Sequence, residues 1–268
     1  KVSYLNDGEF CLIKDNQVEY FDTNGIKVNK KILNLSQDNQ DNDKGDYKHF
    51  MAKEINEQPE AVLNTLRGRV SLDNNKVEIE DFPFSVKEVC EFNRIVIVGM
   101  GTSLHAAMVG RTWMESLTGI TTEVDNSSEF RYRNPIIDSK TLFVSLSQSG
   151  ETADTLAAME EAKRKGARQI TLCNYAGTQT TRIADGTILI RAGLETGVAA
   201  SKTFMCSMTA LYLLALDLSI KLGTIEQDRL QNMIKELSRL PHMLGTLLSN
   251  QKQYEKLSKQ YYKCTDFL

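Results

Sequence analysis

The sequence predicts an α/β fold: a parallel β-sheet with helices on both faces, in three αβα layers. Two observations support this prediction. From residue 94 onward, short apolar runs rich in β-branched residues alternate with segments of helical periodicity. These runs are apolar at consecutive positions, which indicates strands that are buried on both faces, as in sheets covered by helices. The four predicted strands are Ile95–Val98, Thr141–Leu146, Gln169–Cys173 and Thr187–Ile190.

Residues 1–36 have a different pattern, in which short alternating runs are separated by turn-forming residues. The turns fall at Asn6–Gly8 and at Asp22–Gly25. Because Asp-Gly and Asn-Gly tolerate the positive φ of tight turns, the pattern predicts a β-hairpin, with a third short strand from Ile26. Such strands cannot bury a core by themselves. We therefore interpret residues 1–36 either as the trailing edge of a missing domain or as a flap that lies on the residues that follow.

Residues 37–46 are almost free of apolar side chains, a composition typical of a linker. The domain that follows is predicted to span 47–264 and to begin with helices, because Met51, Ile55, Val62 and Leu66 recur at helical spacing. Pro59 should divide this segment into two helices, since proline cannot continue a hydrogen-bonded helix and restricts the residue before it.

Two long helices are predicted near the C-terminal end, Thr203–Lys221 and Ile225–Lys263, and Pro241 is expected to interrupt the second. The most apolar stretch, Met205–Ile220, is too short for a membrane-spanning helix and contains Asp217. The first residues do not resemble a secretory signal. These features predict a cytoplasmic protein.

Composition excludes several classes of function. The formal net charge of −3 gives no overall attraction for nucleic acid or for an anionic membrane. The five cysteines are scattered without a Cys-x-x-Cys pair, and only three histidines could complete a metal site. This pattern gives no reason to expect a metal site. Any bound anion must be held by a local arrangement of donors.

The candidate chemistry lies in two strand-to-helix junctions, Gly99–His105 and Ser145–Thr155. In an open parallel sheet, ligands bind beyond the carboxyl ends of the strands, where such loops lie. The second junction supplies hydroxyls, an amide side chain and a glycine, just before a helix whose free N–H groups favour an anion. That combination suits a phosphate monoester. The residues concerned are Ser147, Gln148, Ser149, Gly150 and Thr152.

Alternatives to this interpretation stay open. Serine, threonine and glycine are also ordinary capping residues, so the second junction alone fits a purely structural cap equally well. The first junction lacks the dinucleotide-binding pattern, because Leu104 holds the third glycine position and the second strand ends in Ser147, where that pattern needs an acidic residue. The remaining candidates are interpreted as structural: Glu54, Glu57, Glu151, His49, His105 and His242.

Five segments, taken together and in order, resemble the glutamine–fructose-6-phosphate aminotransferase family, also called glucosamine-6-phosphate synthases. The segment SQSGET is typical of the wider sugar isomerase (SIS) domain class, and KEINEQP with GVAASKTF narrows the resemblance to this enzyme family. The resemblance covers nearly the whole chain. The segments are His49–Pro59, Gly99–Ile120, Ser128–Asn134, Ser145–Met159 and Gly193–Phe204.

The resemblance implies a domain organisation and a sugar-phosphate site. Residues 1–36 would be the end of a glutaminase domain, 47–264 a first SIS domain, and 265–268 the start of a second. The family's glutaminase nucleophile is a cysteine at its first residue, whereas Lys1 stands here. The resemblance assigns phosphate binding to Ser147–Ser149 and Thr152, and a backbone contact with the sugar to Val198. Ala200 stands where the family often has serine. The full set implied to hold fructose 6-phosphate is Thr102, Ser103, Ser147, Gln148, Ser149, Thr152, Val198 and Ala200.

The family reaction transfers ammonia from glutamine to fructose 6-phosphate and isomerises the product to glucosamine 6-phosphate, with glutamate released. The resemblance implies that this reaction uses neither a metal nor an organic cofactor. The family's catalytic lysine, glutamate and histidine match no residue here. The resemblance therefore implies that Lys202 is not that lysine, and we interpret it as structural. The chain is expected to bind the sugar phosphate without catalysing, to partner the missing second SIS and glutaminase domains, and to form a homodimer. It is expected to bind neither nucleic acid nor membrane.

A competing interpretation is a stand-alone SIS domain that senses sugar phosphates in a transcription regulator. Such a protein needs a basic DNA-binding element. Residues 1–46 have strand signals and an acidic linker composition, which disfavour a helix-turn-helix. A third interpretation is a regulatory or interaction role for the chain itself.

Overall fold

In a computed structural model, the chain is described over residues 2–15, 17–32, 43–72, 74–80 and 82–266. Two compact units form, Lys1–Asp41 and Asn42–Leu268. Parts of three predicted segments lie outside the described residues: 33–36 of the first, 37–42 of the linker, and 267–268 at the end.

The first unit contains the predicted antiparallel hairpin, formed by β1 (Glu9–Lys14) and β2 (Gln17–Asp22). The predicted turn after β2 is present, and the Asp22 carboxylate accepts hydrogen bonds from the N–H groups of Asn24 and Ile26, both at 2.9 Å. The third strand from Ile26 was a wrong prediction. Within the described residues it is reduced to an isolated bridge between Phe21 and Lys27.

The second unit alternates strands and helices along its length. Its strands are β3 (Val70–Ser71), β4 (Lys76–Val77), β5 (Arg94–Gly99), β6 (Thr121–Asn126), β7 (Thr141–Ser147), β8 (Arg168–Cys173) and β9 (Gly186–Leu189). Its helices are α1 (Phe50–Asn56), α2 (Gln58–Leu66), α3 (Val86–Glu91), α4 (Thr102–Thr118), α5 (Ser127–Phe130), α6 (Ala153–Arg164), α7 (Gln179–Ile183), α8 (Lys202–Leu222), α9 (Gln227–Leu248) and α10 (Gln251–Tyr261).

Among the described residues, five parallel strands form one sheet in the order β6-β5-β7-β8-β9. Successive residues of β5 are buried on opposite faces. Ile95 and Ile97 belong to a core cluster that includes Leu214 of α8, whereas Val96 and Val98 pack in a second cluster with Met159 of α6. Helices therefore cover both faces, and the predicted three-layer α/β architecture is confirmed. The sheet has one strand more than predicted, β6.

Helix α8 is longer than predicted and lies in the core. It spans 21 residues, long and apolar enough to cross a membrane by length and composition, so the expectation that this stretch is too short was wrong. However, 72% of its most apolar 18-residue window is buried inside the unit. Gly110 of α4 allows the close packing of α4 on α8, since an added Cβ there would come 2.7 Å from Leu211 Cδ1.

The two prolines act differently. Pro59 lies in the first turn of α2, directly after α1 ends, which confirms the predicted division. Pro241 lies inside α9, so the predicted interruption there was wrong, and the helix ends only at Leu248. Leu240 and Leu244 pack against the main core on either side of the proline. This burial offsets the single hydrogen bond that proline removes.

Candidate functional site

The candidate site lies at the carboxyl ends of β5 and β7, two neighbouring strands. The chain continues from β5 to β6 on one side of β5, and then returns to β7 on its other side. Loops that leave such a reversal diverge to opposite faces and open a crevice between them, the usual ligand position in open α/β sheets. Gly99 ends β5 and Ser147 ends β7, so both predicted junctions border this crevice.

The loop from β7 to α6 is folded by its own hydroxyls. The Oγ of Ser147 accepts a hydrogen bond from the Gly150 N–H at 3.1 Å, and the Oγ of Ser149 accepts one from the Glu151 N–H at 3.2 Å. Gly150 has a φ of +68°, and an added Cβ would lie 2.3 Å from the Thr178 Oγ1. Only glycine fits this position without strain.

The contacts of the Thr152 hydroxyl test the alternative that this loop is only a helix cap. Thr152 is the N-cap residue of α6, yet its side chain makes no capping hydrogen bond in the described part of the chain. Its Oγ1 lies 3.2 Å from the Ser147 Oγ and 3.5 Å from the Ser149 Oγ. Among the described residues, the N–H groups of Ala153–Thr155 have no acceptor. The loop thus leaves three hydroxyls together beside three free helix amides, an arrangement that can hold an oxyanion.

The loop from β5 to α4 brings a second helix N-terminus to the crevice. Gly99 allows the close approach, since an added Cβ would lie 2.9 Å from the Leu104 backbone N. Gly101 turns the chain with a φ of +53°, and α4 begins at Thr102. Thr102 and Ser103 therefore face the same crevice from the opposite side.

A third segment, 194–201, closes the crevice and is held by a buried carboxylate. Glu54 of α1 is 2% exposed, and its Oε1 accepts hydrogen bonds from the N–H groups of Thr196 at 2.5 Å and Gly197 at 3.0 Å. Gly197 is needed there, because an added Cβ would come 2.4 Å from Glu54 Oε2. Val198 then lies fully exposed. The interpretation of Glu54 as structural agrees with these contacts.

The segments around the crevice are also bonded to one another. The Gln148 carbonyl accepts a hydrogen bond from the Asn174 N–H at 3.2 Å. The Asn174 side chain in turn accepts from the Ala192 N–H at 2.9 Å and donates to the Gly193 carbonyl at 2.7 Å. Asn174 follows β8, so it connects the loop after β7 with the segment that leads to 194–201.

These segments enclose a cavity of about 230 Å³. All eight residues predicted to hold a ligand line it: Thr102, Ser103, Ser147, Gln148, Ser149, Thr152, Val198 and Ala200. Five further lining residues were not predicted: Met100, Leu146, Thr155, Glu195 and Gly197. Thr155 could have been found, because it lies three residues after Thr152 and so shares its helical face.

Two of the other candidate residues, Lys202 and Glu151, have structural contacts. Lys202 is 5% exposed, and its Nζ lies 2.6 Å from Glu57 Oε2. Glu151 accepts a hydrogen bond from the Gln179 N–H at 2.9 Å. His105 is exposed on the first turn of α4 and is not among the residues that line the cavity. No group of three or more histidine, cysteine or acidic side chains that could hold a metal ion occurs in the described residues.

Comparison with known proteins gives a consistent set of relatives. The model of the SIS domain family matches residues 90–217. The chain is 40% identical over 265 residues to a glutamine–fructose-6-phosphate aminotransferase (isomerizing) of Caldanaerobacter subterraneus, covering 99% of this chain and 43% of that protein. It is 42% identical over 260 residues to the enzyme of that name from Pseudomonas putida, covering 96% of this chain and 42% of that protein. The chain thus spans less than half the length of these relatives.

A solved structure agrees with these relatives. The C-terminal domain of a glucosamine-fructose-6-phosphate aminotransferase from Francisella tularensis superposes with a TM-score of 0.78 at 30% identity. The match covers 82% of this chain and 62% of that one.

Proposed function

Because the chain contains a SIS domain and corresponds to a segment of glutamine–fructose-6-phosphate aminotransferases, we propose that it binds the phosphate of fructose 6-phosphate in the cavity between β5 and β7. The phosphate would lie at the N-terminus of α6, against Ser147, Ser149 and Thr152. The observation that carries this proposal is the uncapped start of α6, where three hydroxyls and three amides remain available.

The donors are sufficient without a cation. A hydrogen bond to a charged group contributes about 1.5–3 kcal/mol, and a neutral one about 1 kcal/mol. Four or five such bonds, added to the dipole of α6, hold a phosphate at an affinity typical of metabolites. The sugar would extend towards Thr102, Ser103 and the backbone at Val198, while Ala200 would offer packing but no hydroxyl.

Within the whole enzyme this domain would anchor the substrate and leave the reaction to other parts. Binding energy from a phosphate remote from the reacting carbons positions those carbons, which lowers the barrier to their reaction. We propose that the complete protein transfers ammonia from glutamine to fructose 6-phosphate and isomerises the product to glucosamine 6-phosphate. Partners would be the glutaminase and second SIS domains and a second copy of the chain, in the cytoplasm.

The test is a titration of the chain with fructose 6-phosphate and, separately, with fructose, followed by amide chemical shifts. Only the phosphorylated sugar should shift the amides of residues 147–155. The amide of Gly223, at the end of α8, serves as an internal reference that should not move. Equal shifts from both sugars, or no shifts at residues 147–155, would overturn the proposal.

A further inference from the structure

A third helix also begins at the cavity, and a side chain of the protein already occupies its N-terminus. Oε1 of Glu195 accepts hydrogen bonds from the backbone N–H groups of Ser201 at 2.8 Å and of Lys202 at 3.0 Å, at the start of α8. The Thr203 hydroxyl donates to the other carboxylate oxygen. A helix N-terminus stabilises an anion, and here that anion is Glu195. In this respect α8 differs from α6, whose first amides are free within the described residues.

Glu195 also sets the charge of the cavity. Of the described residues that line it, Glu195 alone carries a formal charge. The ammonium of Lys202 belongs to a separate ion pair with Glu57, at 2.6 Å. The walls therefore offer one fixed carboxylate among neutral donors. This arrangement can hold one phosphate, because the free amides and hydroxyls at the start of α6 can all donate hydrogen bonds to it.

We infer that Glu195 is a specificity-determining residue that admits sugars with one phosphate and excludes sugars with a second anionic group. The inference rests on the proposed function: with the phosphate at α6, the rest of the sugar lies in the part of the cavity that Thr102, Ser103 and Glu195 line. In a cavity of about 230 Å³, a second phosphate comes close to the carboxylate. Like charges repel more strongly in such a partly buried site than in bulk water. The amides of α8 cannot offset this repulsion while Glu195 holds them.

The test compares fructose 6-phosphate with fructose 1,6-bisphosphate by isothermal titration calorimetry. The unmodified chain should bind fructose 1,6-bisphosphate at least about tenfold more weakly than fructose 6-phosphate. Glu195→Gln keeps a carbonyl oxygen for the α8 amides but removes the charge, so it should reduce this difference mainly by strengthening bisphosphate binding. Thr203→Val is the matched control, because it removes a donor to the same carboxylate and leaves the charge. This control should keep the discrimination.

The possible outcomes distinguish failure of the inference about Glu195 from failure of the proposed function. Failure of the unmodified chain to bind fructose 6-phosphate overturns both. Binding of both sugars with equal affinity, or parallel loss of both in Glu195→Gln, overturns only the role of Glu195. Salt gives a measurement that needs no variant: the affinity ratio of the unmodified chain should fall as ionic strength rises, because the repulsion is screened. A ratio that does not change with salt contradicts the inference.

Discussion

The ammonium Nζ of Lys202 lies 2.6 Å from the carboxylate Oε2 of Glu57. Glu57 lies at the break between α1 and α2, and Lys202 is the first residue of α8. The pair therefore fixes the segment that closes the candidate cavity to the helices that begin the unit. It also gives the lysine beside the cavity a structural role, as predicted from the sequence.

Substitution of Lys202 should destabilise the protein through this ion pair. Lys202→Met removes the nearer of two cations paired with Glu57, and the Lys53 Nζ stays 3.6 Å from its Oε1. Because the Glu57 side chain is 32% exposed, water compensates part of the loss, and we expect a decrease of about 2 kcal/mol in the free energy of unfolding. Urea denaturation measures the change. In a double-mutant cycle with Glu57→Gln the two effects should be less than additive, and strict additivity would show that the pair contributes nothing.

Gly150→Ala should cost more stability than alanine at an open glycine of the same backbone conformation. Gly223 is the matched control: its φ is +67° against +68° for Gly150, and an added Cβ there would meet nothing within 4 Å. Gly223→Ala should cost about 1 kcal/mol, the penalty for a left-handed residue. At Gly150 the clash with Thr178 should bring the loss to about 3 kcal/mol. Fructose 6-phosphate affinity should fall only in Gly150→Ala. Equal costs for the two variants would contradict the close packing of Gly150 against Thr178.

Removal of the Thr152 hydroxyl should weaken ligand binding, whereas removal of the Ser85 hydroxyl should lower stability. The Ser85 hydroxyl caps α3 in a capping box with Glu88, whereas the Thr152 hydroxyl caps nothing in the described structure. Thr152→Val should therefore weaken fructose 6-phosphate binding about tenfold with a stability change below about 0.5 kcal/mol. Ser85→Ala should cost about 1 kcal/mol of stability with unchanged affinity. Calorimetric titration and thermal melting distinguish the two. A stability loss at Thr152 without an affinity loss would favour the capping alternative.

Alkaline pH should destabilise the protein through buried thiols. Burial raises the pKa of Cys206 from 9.0 to about 11, and burial also raises the pKa of Cys173. The native thiol keeps its proton at a pH where the unfolded thiol loses it. Stability is therefore intact below about pH 9 and falls as the pH rises towards about 11.

For Cys206 the loss should total about 2–3 kcal/mol, and Cys206→Ser should remove that part of the slope. Urea denaturation between these pH values is the measurement. Cys90→Ser, which removes an exposed thiol, is the control. If Cys206→Ser leaves the slope unchanged, the thiol is not the group responsible.

Within the parallel sheet, the strands that the sequence predicted are those with apolar residues at consecutive positions. Leu142 and Val144 face one core cluster and Phe143 faces the other, so β7 is apolar at consecutive positions. The strand β6 was missed because Thr121–Asn126 contains a single apolar residue, Val124. It lies at the edge of the sheet, and its identity as a strand comes from pairing with β5, which local composition does not encode.

The cavity was predicted better than the contacts that support it. The hydroxyls and the glycine of residues 147–152 are adjacent in sequence, so capping and turn chemistry indicated them directly. Thr102, Ser103, Val198 and Ala200 were assigned by the family resemblance. The role of Glu54 depends on backbone N–H groups 142 and 143 residues away, and no local pattern encodes such a pairing. The N–H groups that donate to Glu195 are only six to eight residues further along the chain. A carboxylate shortly before a predicted helix start was therefore a signal available in the sequence.

Asn174 connects the segments on two sides of the crevice through its backbone and its side chain. The cavity is therefore preformed, and the backbone around it loses little conformational freedom when a ligand binds. A site that must close around its ligand loses conformational entropy on binding. A preformed site avoids that loss and therefore binds the ligand more tightly. Asn174→Ala would remove the two side-chain hydrogen bonds and keep the backbone bond to Gln148. The segment that leads to 194–201 would then be less rigid, and ordering it on binding would cost entropy although no residue that lines the cavity has been changed.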